Sequence, residues 1–447
     1  MANPTSIIDR FNNWSRNSVT LKLLVIGFLI LVLLIPSSMV SSLVNEREGL
    51  RDGATSEVSS KWGAAQTLGG PVISVPYYVT YKNDKNETER RIEYAHFLPD
   101  SLHVTGELKP EKRSRGIYLV ILYNARLKVS GSFPKLDFDA LPISKSDYLL
   151  DQAFISFGVS DMKGIRDNIK MNISDTTYDF NPGIPVADIF ESGISFPINL
   201  QKKEPRNFEL ALNLNGSTDI SFLPFGKETD VELKSSWGDP SFNGSFLPDT
   251  RLVDASGFTA RWRVLQLNRN YPQQGSGKFI TNENKFGVKL LLPVDEYQKT
   301  FRSAKYCSMF IILTFLTFFF VEVLNRKRIH AIQYLLVGSA ITLFYVLLLS
   351  MSEHISFNLS YLVASVIILL LVTLYGKSIL KSNKLTALLG GILAILYLFF
   401  YSLLQLEDYS LLMGSFGLLL ILAAIMYLTR KVDWYSFKTA DNGEEKD

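Results

Sequence analysis

Glu322, Glu353 and His354 lie inside or beside long apolar runs, where an ionisable side chain is costly unless it is paired or has a use. Each is therefore a candidate functional residue. Glu322 ends the string Phe318-Phe319-Phe320-Val321-Glu322, four residues before Arg326, and an i,i+4 ion pair at a helix end accounts for it. Glu353 and His354 fill a short gap between two apolar runs. His354 carries the chemistry of an acid sensor, because an imidazole titrates near pH ~6.5. Anchoring or docking a helix end is the simpler use of the same two residues. Glu407-Asp408, in a later gap, reads as a solvated turn.

Other chemistry is sparse. There is no phosphate loop, zinc spacing or nucleophile elbow, so no catalytic, cofactor-binding or metal-binding residue is assigned. His96 and His103 flank an expected turn at Pro99-Asp100 and read as strand positions rather than metal ligands. Cys307 is the single cysteine and forms no internal disulfide; at the edge of an apolar run it reads as a small helix residue.

The candidates depend on membrane helices to position them. Runs at 306–324, 332–352, 357–380, 385–405 and 409–429 each approach the roughly 20 residues needed to cross a bilayer. Lys and Arg fall in alternate gaps: Arg326, Lys327 and Arg328 in one, Lys377, Lys381 and Lys384 in another, Arg430 and Lys431 after the last run. Cytoplasmic loops retain such residues, so the alternation predicts direction as well as number. A further run at 21–44 follows Arg10, Arg16 and Lys22. It also fits a signal peptide cleaved near Ser41, but its full spanning length and long polar leader favour an uncleaved anchor. The expectation is six spans, residues 1–20 and 430–447 in the cytoplasm, and residues 45–305 outside. Midspan positions are nearly all apolar, with Thr342, Ser365 and Ser402 among the exceptions, which argues against coupled ion transport.

The external segment is large enough for one big or two ordinary domains. Residues 45–62 have helical spacing of Leu50, Ala54, Val58 and Trp62, and Gly69-Gly70-Pro71 is expected to stop the helix. Beyond it the period becomes two, with short strands expected from 72–75 to 286–292, interrupted at Asn83-Asp84, Pro110 and Gly131. The expected domain is β-rich, antiparallel and sandwich-like. The strings Phe97-Leu98-Pro99-Asp100 and Phe246-Leu247-Pro248-Asp249 raise the question of an internal duplication, with a shared turn type as the alternative. Trp237, Phe242, Phe246, Phe258 and Trp262 supply rings for either a core or a binding groove, and core is favoured. A net charge of +3 is too small to point to nucleic acid.

Several strings together carry a resemblance: Trp62-Gly63-Ala64-Ala65-Gln66 with Gly70-Pro71-Val72-Ile73-Ser74-Val75-Pro76, and Ser160-Asp161-Met162-Lys163-Gly164. Trp237-Gly238-Asp239-Pro240-Ser241-Phe242, Gly257-Phe258-Thr259-Ala260-Arg261-Trp262 and Gln333-Tyr334-Leu335-Leu336-Val337-Gly338 extend it, as do residues 349–354 and 428–435. In order and spacing the chain resembles the CreD family of bacterial inner-membrane proteins. The resemblance implies a periplasmic location for the β-rich domain and a link to envelope integrity and stress response under a two-component system. It implies no catalytic residues.

Two functional readings follow. The first is a non-enzymatic envelope protein whose domain binds a periplasmic protein, lipid or cell-wall component while the helices contact the lipid bilayer. The second is a transporter or lipid-handling membrane protein with a periplasmic accessory domain.

Overall fold

The computed structural model describes residues 19–202, 204–291, 296–325, 327, 329–406 and 409–430. Among these residues six helices are long and apolar enough to cross a membrane, and a large β-rich domain follows the first and precedes the second in the chain. In chain order the helices are α1 Val19–Trp62, α2 Glu296–Lys305, α3 Cys307–Leu324, α4 Ala331–Ser352, α5 Phe357–Leu380, α6 Asn383–Gln405 and α7 Ser410–Thr429. The chain forms two compact units, residues 51–293 and the remainder.

In the helical unit, α1 contributes Ile26, Leu33, Val40 and Val44 to a core shared with Phe310, Phe315, Phe344 and Leu389. These α1 positions recur every seven or four residues, so one stripe of the helix faces its neighbours. Gly338 on α4 makes room for α1: a Cβ there would lie 2.2 Å from Leu33 Cδ1.

The β-rich unit opens with long strands: β1 Gln66–Lys82, β2 Thr88–Phe97, β3 Ser101–Arg115, β4 Tyr118–Ser132 and β5 Phe154–Val159. Four short ones follow, β6 Lys170–Ile173, β7 Thr176–Asp179, β8 Asn181–Pro182 and β9 Gly193–Pro197. Next come β10 Asn207–Ser217, β11 Asp219–Phe222, β12 Glu228–Ser235 and β13 Pro240–Gly244. The last are β14 Thr250–Asp254, β15 Gly257–Leu265, β16 Gln274–Ser276 and β17 Phe286–Leu290.

They build two sheets. A nine-stranded sheet runs β13-β17-β11-β1-β5-β9-β8, with β2 paired to β1 and β16 to β2; an eight-stranded sheet runs β14-β15-β12-β3-β4-β10-β6-β7. Pairing is antiparallel except for β1 with β11 and β3 with β12. Both sheets contribute to one core, which joins Val72, Ile155 and Phe286 of the first to Leu127, Leu212 and Trp262 of the second.

Three expected breaks lie inside strands. Gly69-Gly70-Pro71 does not stop the helix, which ends at Trp62; it lies within β1, where the register against β5 shifts between Gly69 and Val72. A bulge of this kind favours glycine, and a Cβ on Gly69 would lie 2.6 Å from the Phe225 ring. Pro110 lies within β3 beyond Leu108, the last residue paired to β12, so its missing N–H has no second neighbour to serve. Gly131 sits in β4 because a Cβ would meet Ser101 O at 2.0 Å. The two Phe-Leu-Pro-Asp strings share a strand-entry turn: Asp100 N–H donates to Ser132 O and Asp249 N–H to Arg261 O. Their strands differ in setting, since β3 is internal to its sheet and β14 is an edge.

Candidate functional site

Glu322 lies at the end of α3 and is only 2% exposed. Lys22, near the start of α1, places Nζ 2.5 Å from Glu322 Oε1. Ile329 N–H donates to the same oxygen at 3.1 Å, and Tyr334 Oη donates to Oε2 at 3.0 Å. One carboxylate thus joins α1, α3, the turn after α3 and the first turn of α4. The expected local partner, Arg326, lies outside the described residues. The partner at 300 residues' separation has no local sequence signal; its only clue is that Lys22 and Glu322 flank spans that alternation assigns to one side.

Glu353 occupies the opposite end of α4, as its C-terminal cap. Its Oε1 lies 3.6 Å from Arg47 Nε on α1, an ion pair too long for a hydrogen bond. His354 is exposed, and its N–H donates to Met351 O. The structure therefore ties α1 to its neighbours with acid–base pairs at Lys22 and at Arg47, and the three candidate residues do not form one site. Glu407 and Asp408 lie outside the described residues. Thr342, Ser365 and Ser402 all return their hydroxyls to carbonyls of their own helices, those of Gly338, Leu362 and Leu398. They are satisfied within the helix and line no polar path by themselves.

In the β-rich unit, His96 and His103 are separated onto β2 and β3, in different sheets. Among the described residues no group of three or more His, Cys, Asp or Glu is placed to hold a metal. His96 instead forms an array that the sequence did not reveal. Its Nδ1 lies 2.9 Å from Ser74 Oγ and its Nε2 3.1 Å from Asp188 Oδ2, with the Phe279 ring edge-on at 5.8 Å. Ser74 and His96 are 2% and 1% exposed. Burial lowers the His96 pKa, against the opposing pull of Asp188. The hydroxyl has no open approach for a substrate, so the array reads as a satisfied buried imidazole. Trp237, Phe258 and Trp262 are buried in the core, with Phe242 and Phe246 packed against it, as the core reading requires.

The strings around Trp62 and Ser160 converge in the same unit. Gln66, wholly buried, donates from Nε2 to Asp161 O at 3.0 Å and Asn215 O at 3.1 Å, while Ala64 N–H donates to Asp161 Oδ2 at 2.8 Å. Gly63 at φ +146° and Gly164 are required there, since a Cβ on either would lie within 2.6 Å of Asn215 O. Lys163 Nζ donates to Ser60 O, Trp62 Nε1 to Tyr123 O, and the Arg113 guanidinium lies 4.5 Å over the Trp62 ring. The end of α1 is thereby clasped to β1, β3, β4 and β10.

The model of the family described as inner membrane protein CreD matches residues 18–435 of the chain. The chain belongs to the CreD family. It is similar to the inner membrane protein CreD of Escherichia coli (strain K12), 34% identical over 344 residues, covering 74% of this chain and 75% of that one. The CreD match spans both the six helices and the inserted sheets, so this is a multi-pass inner-membrane protein. Two of the strings that carry the resemblance have physical reasons: the 333–338 string supplies Tyr334 to Glu322, and the 62–66 string supplies the Gln66 clasp.

The helical unit should depend on the Glu322 pair. Breaking a fully buried pair by removing one partner costs about 3–5 kcal/mol. Lys22 is a third exposed, so Glu322→Ala should cost about 1–3 kcal/mol and Lys22→Met less, read as lower melting temperatures of purified protein. His96 should make the β-rich unit acid-sensitive. The folded state binds the proton less readily than the unfolded chain, so the stabilisation is full above about pH 6.5 and is lost as pH falls towards the lower folded value. His96→Gln should flatten that part of the stability–pH curve, measured by denaturant unfolding at stepped pH.

Proposed function

We propose that this protein contributes to envelope integrity and stress response by binding, through its β-rich domain, rather than by catalysis. The domain is periplasmic and both termini are cytoplasmic on this reading. Its support is that Lys327, whose N–H donates to Glu322 O, follows the end of α3 that Lys22 reaches, as cytoplasmic basic residues require.

The observation that carries the binding reading is an open groove of about 880 Å³ on the outer face of the eight-stranded sheet. Strand register sets its floor. Glu232, Thr105, Lys128 and Ala211 lie opposite one another across β12, β3, β4 and β10, and Lys234, Glu107, Arg126 and Asn213 form the next row. Alternation turns these side chains outward while Val104, Leu127, Leu212 and Leu233 enter the core. Several charges are already paired across or along the strands, as in Lys128–Glu209 at 2.9 Å and Lys234–Glu232 at 3.0 Å. Arg126 is exposed and forms no ion pair among the described residues. A polar face with both signs of charge and no aromatic lining matches a charged protein partner in the periplasm better than stacked sugar rings. Charge complementarity of this kind selects partners more than it adds affinity.

The test is complementation in cells lacking the protein, scored by sensitivity to envelope-damaging detergent. Arg126→Glu with Lys128→Glu should fail to restore resistance at normal protein level, whereas His354→Ala should restore it. Full rescue by the double variant, or turnover of an envelope lipid or glycan that is lost on replacing Glu353 or His354 with Ala, would contradict the proposal.

A further inference from the structure

Between α5 and α6 lies a second groove, of about 570 Å³, lined by Leu362, Leu369, Ala394 and Leu398 with Asn358 and Tyr401 at one end. Its apolar length runs along two membrane-spanning helices, and its polar end coincides with the start of α5 and the end of α6. That end is linked to a cation. Asn358 Oδ1 accepts from Gln405 Nε2 at 2.6 Å, and Gln405 Oε1 accepts from Lys299 Nζ at 3.4 Å. Lys299 belongs to α2, a short helix that also presents Arg302 and Lys305. Arg302 is committed, because its Nη2 donates to Leu406 O at 2.6 Å beyond the end of α6. Among the described residues Lys299 meets the neutral Gln405 and, 6.0 Å away, the Phe357 ring, and forms no ion pair.

We infer that this groove seats an acyl chain of an anionic phospholipid, with the lipid phosphate held at Asn358, Gln405 and Lys299. The apolar lining selects a hydrocarbon chain, and the cation at its polar end selects the headgroup. The site is distinct from the groove on the β-rich domain, and neither depends on the other.

Native mass spectrometry of the purified full-length protein tests this, using phosphatidylglycerol and phosphatidylcholine with identical chains. The wild type should retain phosphatidylglycerol about fivefold over phosphatidylcholine, the factor expected of one lysine near an anionic headgroup. Lys299→Gln should bind both lipids equally. Ala394→Trp, which fills the groove, should lose both adducts while keeping the wild-type melting temperature. Glycerol phosphate without acyl chains should displace neither. Equal binding of the two lipids by the wild type, an unchanged preference in Lys299→Gln, or lipid-free dimers in place of adducts would overturn the assignment. Should Ala394→Trp fail to fold, Lys299→Gln still decides the headgroup claim.

Discussion

A carboxylate at the end of a membrane-spanning helix must find a positive partner and donors for its remaining lone pairs, or it will not stay charged there. Glu322 meets this demand with Lys22, Ile329 N–H and Tyr334. The consequence is structural. α1 must place its first turn beside the end of α3, and α4 must begin close enough for a tyrosine to reach the same oxygen pair. The looser Arg47–Glu353 pair repeats the constraint at the other end of α4. Apolar packing alone would leave α1 free to slide or rotate against its neighbours, because lipid competes for the same surface. Two ion pairs at fixed heights remove that freedom.

The β-rich unit shows a comparable division of labour. Its inner faces are apolar and hold the sheets together, whereas its outer face carries paired charges in register. The clasp around Gln66 uses backbone carbonyls of Asp161 and Asn215, so it depends on glycines that leave room rather than on reactive side chains. On the proposed reading the surface of this domain is the working part, and the interior keeps that surface rigid.

The membrane part was readable because a spanning helix needs a long unbroken apolar run, and each run stands between charged gaps. The sheets were less legible, for a physical reason. β1 is buried on both faces over Val72–Val75, so alternation disappears, and the glycines beside it mark a bulge and close packing rather than an end. Pro110 and Gly131 misled in the same way, since what they permit depends on which strands lie alongside. The site residues were found by type but not by partner. Glu322 is identifiable by type as a charge in need of a companion, yet Lys22 lies 300 residues away. The sequence places His96 on a strand, surface or half-buried, but only the fold closes Asp188 and Ser74 around it.

The central claim is that the outer face of the eight-stranded sheet meets a charged partner in the periplasm. Photocrosslinking in living cells from a reactive residue placed at Arg126, with a second placed at Asn86 on the β1–β2 turn, tests it most directly. The account predicts one discrete adduct from position 126, none of the same mass from position 86, and its loss when Glu232→Lys reverses a neighbouring charge. The same adduct pattern from both positions, or an adduct indifferent to Glu232→Lys, would contradict it.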